Sequence, residues 1–366
     1  MTNKKNKYYN PKKILSYNAD YNLIIGERSN GKTYSILKHC LEEYYNTDKK
    51  FVYIRRYKED IIGKRGDAVF SALVQNGEVR KITNNNYSHI ILQAGKFYLA
   101  SYDEKLDRLV PANDYFCNIL SLSDMEHDKS LSFPNVKYIV YDEFLTRRYY
   151  LKDEFMLFMN VLSTIIRDRK DIKIFMLGNT VNRYSPYFQE FGINADNLEQ
   201  GKIALFHYGM SELTLAIEYC SEGVESKKDS NKYFAFNNPR LNMIKSGAWE
   251  LDIYPHLPAD YSIKKENILY TFYVEFYERV LAGDFVQVGS DVFIYFHEKT
   301  TPIKDKNNVL IYSLNNSVNL NVRRNLLRGV GRLEKNVNLL FSMNKVFYQS
   351  NEIGEIIHNY NLIACN

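Results

Sequence analysis

Gly26-Glu27-Arg28-Ser29-Asn30-Gly31-Lys32-Thr33 is the stretch on which the reading of this sequence turns. It fits the pattern G-x-x-x-x-G-K-[ST], a loop that cradles phosphate. A polyphosphate needs several backbone N–H groups aimed at its oxygens, with no side chain in the way. Gly26 and Gly31 permit the sharp turn and the close approach. Lys32 supplies a point charge for the β- and γ-phosphates, and the Thr33 hydroxyl is placed to ligate Mg²⁺. Arg28, Ser29 and Asn30 fill variable positions of the loop and belong to the same nucleotide-binding set. Before the loop, Tyr21-Asn22-Leu23-Ile24-Ile25 reads as a short buried strand. After it, Ile36, Leu37, Cys40 and Leu41 recur at helical spacing. That strand–loop–helix context separates a P-loop from an ordinary glycine turn before a helix.

Working outward, strands and helices alternate. Residues 50–56 read as a second strand with a basic end, Arg55-Arg56. Residues 88–93 and 96–101 read as a hairpin joined at Ala94-Gly95. Residues 115–122 and 136–141 are two more apolar strands, the second ending on Asp142-Glu143. Phe155, Phe158, Val161, Leu162 and Ile165 make a broad apolar helical stripe. Residues 172–177 form a strand that ends at Gly178-Asn179-Thr180. This order predicts an α/β fold with a mainly parallel sheet flanked by helices.

Residues 1–205 read as the P-loop domain. Residues 206–260 read as a linker or lid, with a polar stretch at 222–232 and the single Trp249. Residues 261–366 read as a smaller α+β domain. Within it, Ile268, Leu269, Phe272, Tyr273, Phe276, Val280 and Leu281 predict an amphipathic helix stopped at Gly283. A hairpin follows across Gly289-Ser290-Asp291, then strands at 309–313 and 346–348 and a closing helix at 351–359.

The strand ending in Asp142-Glu143 delivers two carboxylates to the edge where open α/β sheets bind ligands. Asp142 is expected to hold Mg²⁺ through its water shell, and Glu143 to orient and deprotonate a water molecule. Asn179, at the end of the next strand, is positioned to hydrogen-bond the γ-phosphate or the water. Arg167 or Arg169 offers the guanidinium that phosphoryl transfer uses, often supplied by a neighbouring subunit. The same cations also suit a helix C-terminus. Tyr17, Tyr21 and Arg28 are near enough to meet an adenine. Arg55 and Arg56 fit a nucleic acid, a neighbouring subunit or a surface ion pair equally well. Lys129 fits an exposed loop or a reach toward DNA or a neighbouring site. Arg323, Arg324, Arg328 and Arg332, spaced with Gly329 and Gly331, suit a loop that tracks phosphates or one that is merely solvated.

At 366 residues the chain can bury a sizeable core and make two domains. Its 45% hydrophobic and 25% charged content is that of a soluble globular protein. The 31 tyrosines and 21 phenylalanines, with many Asn and Lys, fit an AT-rich genome better than an aromatic binding surface. A net charge of +5 is too mild to dictate a polyanionic partner. The 4 cysteines form no CxxC pair, so neither zinc nor a disulfide framework is supported, and a reducing compartment fits. No apolar run is long enough to span a membrane. The basic residues 1–13 lack the apolar segment of a secretion signal.

As a set, the GxRxxGKT loop, the strand ending in Arg-Arg, the apolar strand ending in Asp-Glu and the Arg-x-Arg before a Gly-Asn strand end resemble the viral genome-packaging ATPases. The likeness is to the DNA-encapsidation ATPases of small, protein-primed podoviruses, with large terminase subunits as more distant relatives. It covers roughly residues 15–200. The resemblance implies an ASCE-type P-loop fold, ATP and Mg²⁺ as cofactors, and a homo-oligomeric ring, pentameric in that family. The ring would dock on the portal of a procapsid in the host cytoplasm and drive double-stranded DNA inward. It implies roles for Lys32, Thr33, Asp142 and Glu143, and for an arginine in trans at Arg167 or Arg169. The small-podovirus relatives work with a packaging RNA. Large terminases carry an RNase H-like nuclease after the ATPase. Here Asp284, Asp291 and Glu298 are the acidic residues near strands, and none is expected mid-strand between apolar neighbours. Residues 261–366 are therefore read as a degenerate, non-nucleolytic relative that contacts DNA or portal. A non-packaging ATPase, such as a helicase or partition ATPase, and a nucleotide switch without a motor stay open as alternatives. The Asp142-Glu143 pair favours hydrolysis over the switch.

Overall fold

Strand β1 (Tyr21–Gly26) lies between two parallel partners, β8 (Lys173–Asn179) and β10 (Thr214–Tyr219). Beyond β8 the parallel sheet continues through β7 (Val136–Asp142), β2 (Lys50–Arg55) and β6 (Cys117–Ser121). Antiparallel strands finish both sides. β3 (His89–Gln93), β4 (Lys96–Asp103) and β5 (Arg108–Pro111) lie beyond β6, and β9 (Ile203–His207) lies beyond β10. This is a computed structural model, and it describes residues 9–127, 132–220, 252–258, 260–329 and 331–364. Lys129, the stretch 222–232 and Trp249 lie outside the described residues. The chain divides into two units, Met1–Glu250 and Leu251–Asn366.

The parallel strands are apolar on consecutive residues because both faces are covered. In β1, Leu23 and Ile25 enter one core while Ile24 enters the other. Helix α2 (Lys32–Thr47) buries Ile36, Leu37, Cys40 and Leu41 with Ile24, Phe51 and Tyr53. Helix α6 (Glu154–Ile166) buries Phe158, Val161, Leu162 and Ile165 on the opposite face with Leu23, Ile25 and Val52. Short helices fill the connections: α1 (Lys12–Leu15), α3 (Gly63–Asp67), α4 (Ser71–Gln75), α5 (Glu78–Ile82) and α7 (Pro186–Glu190). The α/β class and the mainly parallel sheet expected from the sequence are both present, as is the hairpin turning at Ala94-Gly95.

The expected boundary at residue 205 falls inside β9. β9 and β10 form an antiparallel hairpin, and β10 pairs with β1 from Leu215 to Tyr219. The P-loop sheet therefore runs into the segment 206–260 that reads as a linker in the sequence, as far as Tyr219.

In the second unit, β11 (Ile268–Phe276), β12 (Arg279–Val288) and β13 (Asp291–Glu298) form an antiparallel meander. Parallel strands β14 (Ile311–Ser313) and β15 (Val322–Arg323) extend it beside β11, and β16 (Val346–Tyr348) extends it beside β13. Helices α8 (Arg332–Ser342) and α9 (Asn351–Ala364) complete it. α9 buries Ile353, Ile356, Ile357 and Tyr360, one stripe at helical spacing. Tyr360 meets Phe276 ring to ring at 6.1 Å.

The predicted helix over 268–281 is replaced by β11, a two-residue turn and the start of β12. Apolar residues are dense enough here to satisfy both periods, but burial picks out Phe272, Val274 and Phe276, which alternate. Aromatic and β-branched residues favour the strand. Gly283 ends nothing. It sits mid-strand because the Phe272 ring lies against it: a Cβ there would come within 2.4 Å of that ring. Asp284 is likewise mid-strand and buried, between Gly283 and Phe285, against the expectation that no Asp occupied such a position. Reading a helix stop at Gly283 had put Asp284 at a strand start.

Candidate active site

Because β1, β2, β7 and β8 are parallel, their C-terminal ends share one edge of the sheet. That topology brings Gly26, Arg55, Asp142 and Asn179 together from four distant stretches of chain. A cavity of about 670 Å³ opens there, lined by Arg28, Lys32, Thr33, Asp142, Glu143 and Asn179 among others. Ser29, Asn30 and Gly31 also line it, while Gly26 anchors the loop beneath.

Gly31 caps α2 with φ at 88°, a left-handed conformation that glycine adopts without steric cost. Lys32 and Thr33 then open the helix, so its N-terminus lies at the cavity, with the Lys32 N–H donating to Asn30 Oδ1 at 3.2 Å. The Lys32 ammonium is buried and folds along the loop. It donates to Glu27 O at 2.6 Å, Asn30 Oδ1 at 3.1 Å and Asn179 Oδ1 at 3.3 Å. Burial lowers its pKa from the ordinary lysine value, against the opposing pull of nearby Cys220, Asp142 and Glu27.

Thr33 Oγ1 donates to Asp142 Oδ1 at 3.1 Å, and the buried Tyr53 hydroxyl donates to Asp142 Oδ2 at 2.8 Å. A hydroxyl and one carboxylate converging on one point make a hard-oxygen donor set. Mg²⁺ sites commonly use one or two carboxylates and complete the shell with phosphate oxygens and water. Thr33 and Asp142 therefore fit Mg²⁺.

Glu143 follows in the left-handed region with φ at 59°, which costs a non-glycine residue energy. Its side chain is 55% exposed and is met by Arg55, Nη2 to Oε2 at 2.7 Å. Arg55 also approaches Asp60 at 3.7 Å and Asp142 at 3.9 Å. Arg56 turns the other way, into the protein. Its Nε donates to Glu154 Oε2 at 2.8 Å, Nη1 to Glu143 O at 3.0 Å and Nη2 to Phe144 O at 2.7 Å. Glu154 is 2% exposed and also accepts from the Tyr141 and Tyr187 hydroxyls at 2.8 and 2.9 Å. Neither arginine is a surface residue awaiting a partner, as the sequence had left open. Both find partners at the site edge because β2 lies directly beside β7.

Arg167 and Arg169 are not brought to this edge. They follow α6, beside the start of β7, whereas the cavity lies at the strand's far end. Arg169 does not project from the domain. Its guanidinium donates to the carbonyls of Ile165, Ile166 and Val136, closing the C-terminus of α6. Arg167 is exposed. Tyr21 starts β1 and packs its ring on Phe191 at 5.4 Å, at the wrong end of the strand to meet an adenine in the cavity. Tyr17 precedes that same strand start, so of the three adenine candidates only Arg28 lines the cavity. Arg147 and Arg148 line it as well, on the loop after Glu143. No periodicity marks them, and their one signal is that they follow the Asp-Glu pair. Tyr53 was missed because a tyrosine inside an apolar strand reads as core.

A model of the podovirus DNA encapsidation protein (Gp16) family matches residues 3–228. The chain belongs to this family. It is 26% identical over 221 residues to the DNA packaging protein of Bacillus phage phi29, an alignment spanning 60% of this chain and 59% of that protein. To the DNA packaging protein of Bacillus phage B103 it is 28% identical over 186 residues, or 50% of this chain and 51% of that one. The chain thus matches little more than half the length of these relatives. Among solved structures, the bacteriophage Phi-29 viral genome packaging motor assembly superposes with a TM-score of 0.57 at 18% identity, over 98% of this chain and 99% of that one. The Phi-28 gp11 DNA packaging motor does so with a TM-score of 0.54 at 18% identity, over 98% of both chains. Both likenesses are of fold.

In the second unit, the acidic residues near strands are tied up separately. Asp284 accepts from Thr271 Oγ1 at 2.5 Å and meets His297 Nε2 at 3.1 Å. Asp291 accepts from the Tyr261 hydroxyl at 3.1 Å, and Glu298 pairs with Arg279 at 2.9 Å. Among the described residues no group of three or more His, Cys, Asp or Glu side chains converges to hold a metal ion. Of the basic run, Arg323 pairs with the buried Glu334 at 3.3 Å, Arg324 donates to Leu314 O at 3.0 Å, and Arg332 opens α8. No helix among the described residues is long and apolar enough to cross a membrane.

Proposed function

We propose that this chain hydrolyses ATP with Mg²⁺ and uses the hydrolysis to move double-stranded DNA into a viral procapsid. It acts as one subunit of a homo-oligomeric ring on the portal, in the host cytoplasm. The observation that carries the hydrolytic half is the 3.1 Å approach of Thr33 to Asp142, with Glu143 as the next residue and Lys32 joined to Asn179. Phosphate grip and water-activating carboxylate meet in one cavity. Membership of the encapsidation family supports the DNA-moving half.

Lys32 and the loop N–H groups bind the β- and γ-phosphates, and Arg28 adds charge at the loop's outer side. Thr33 and Asp142 would hold Mg²⁺, which supplies positive charge to the phosphate oxygens when bound. Glu143 takes the proton of the attacking water. Asn179 links the Lys32 ammonium to the end of β8, so a change at the phosphate reaches the sheet. Arg147 and Arg148 place further positive charge around the cavity. Arg167, exposed just after α6, is the arginine of its pair that serves a neighbouring subunit in this reading. The basic run of the second unit contacts DNA phosphates through Arg328 and Arg332. No cutting of DNA is assigned to that unit. A packaging RNA stands as a further partner on family resemblance alone.

Glu143→Gln tests the reading. ATP turnover is expected to fall by roughly 10²–10⁴-fold, with nucleotide binding retained. Unchanged turnover would overturn the hydrolytic assignment. Turnover that double-stranded DNA fails to stimulate would leave a nucleotide switch as the better account.

A further inference from the structure

We infer that Arg56 positions the Glu143 carboxylate by gripping the main chain on which it is mounted. The inference rests on the hydrolytic role of Glu143 proposed above. A general base must sit within hydrogen-bond reach of its water, and small displacements are costly to rate. Yet Glu143 is on a loop-forming residue with φ at 59°, and its side chain is 55% exposed. Beyond the exposed ion pair with Arg55, its placement comes from its backbone.

Arg56 supplies that constraint with one rigid, planar group. Two of its nitrogens hold consecutive carbonyls, those of Glu143 at 3.0 Å and Phe144 at 2.7 Å. The third donates to Glu154 at 2.8 Å. The Phe144 N–H donates to Leu177 O at 3.1 Å, so the same turn is pinned from β8 as well. Glu154 is itself fixed: the hydroxyls of Tyr141 and Tyr187 hold Oε1, and the Leu151 N–H holds Oε2 at 2.8 Å. The chain of contacts therefore runs from α7 and α6 through one guanidinium to the peptide that carries Glu143. Burial disfavours the charged form of Arg56, but Tyr141 and Glu154 outweigh it and raise its pKa, so it stays a cation. Lysine cannot replace it, because an ammonium lacks the fork that spans three acceptors.

Arg56 is thus a positioning residue, and its signature is a split between kcat and KM. In the full chain, Arg56→Lys is expected to lower kcat for ATP by about ten- to a hundred-fold. KM should stay within about two-fold, because the P-loop contacts are untouched. In a Glu143→Gln background, Arg56→Lys should add no further loss. Tyr187→Phe removes one support of Glu154 without touching Arg56, and keeps the inference testable if Arg56→Lys does not fold. It is expected to lower kcat about two- to five-fold at unchanged KM. A folded Arg56→Lys protein with normal kcat overturns the inference, as does a further loss in the Glu143→Gln background. Where Arg56→Lys does not fold, normal kcat in Tyr187→Phe overturns it. Turnover surviving Glu143→Gln instead sinks the hydrolytic reading, and this inference with it.

Discussion

Arg55 and Glu143 are joined by a 2.7 Å ion pair across the ends of β2 and β7. The arginine is mostly buried and the glutamate mostly exposed, so the pair is a weak restraint of about 0.2–1 kcal/mol. It competes with any water for the carboxylate. Arg55→Gln should therefore raise basal ATP turnover by up to about five-fold, the rate equivalent of that restraint. Steady-state turnover without DNA measures it, and a fall would mean that Arg55 holds the working rotamer.

Tyr53 donates to the Asp142 oxygen that Thr33 does not use. Partners of this kind orient a metal-binding carboxylate. Tyr53→Phe should raise the Mg²⁺ concentration for half-maximal turnover by about ten- to a hundred-fold. A Mg²⁺ titration of ATPase activity reads this directly, and an unshifted midpoint counts against Asp142 as the Mg²⁺ residue.

Arg169 closes α6 far from the cavity. Arg169→Ala should cost about 1 kcal/mol in urea denaturation, while ATP turnover per folded molecule stays within about two-fold. Loss of turnover without loss of stability would restore Arg169 as a residue acting on a neighbour's nucleotide.

Gly283 faces the Phe272 ring with no room for a methyl group. Gly283→Ala should destabilise the second unit by about 1–3 kcal/mol through overpacking. A thermal melt that leaves this unit unchanged would contradict the strand placement.

His297 reaches Asp284 from the neighbouring strand, and that hydrogen bond raises the imidazole pKa against burial and the charge of Lys299. A raised folded-state value stabilises the fold fully below the unfolded value of about 6.5. The contribution is lost as pH rises through the folded value. The second unit should therefore melt at a lower temperature at pH 8.5 than at pH 5.5, and His297→Gln should flatten that dependence. An equal slope in the variant would assign the effect to another group.

The convergence of the P-loop with the Asp-Glu strand end was legible because each part is local. Gly31, Lys32 and Thr33 are adjacent, and Asp142 and Glu143 end an unmistakable apolar strand. The arginines were harder. Arg55 and Arg56 carry identical side chains at consecutive positions at the cavity edge, yet one meets the Glu143 carboxylate and the other the buried Glu154 and the Glu143 and Phe144 carbonyls. Only the placement of β2 beside β7 gives each its partner. Arg169 stayed ambiguous because a helix-capping arginine and one serving a neighbouring subunit have the same local sequence. The segment 268–281 failed for a different reason. Ten apolar or aromatic residues among fourteen satisfy a helical period by density alone, and long-range pairing with β13 and β14 settles the matter.

The placement of β1 between β8 and β10 also governs how the molecule comes into being. The nucleotide loop is complete by residue 33, yet the strands that seat its base end at Asn179 and Tyr219. At about 5–20 residues per second of synthesis, those partners emerge roughly 10–40 s after the loop. Until then an apolar strand waits without neighbours, and such long-range parallel pairing is intrinsically slow. A nascent chain of this protein therefore cannot bind nucleotide until most of its first unit has left the ribosome, and its earliest segment is the one most in need of protection from aggregation.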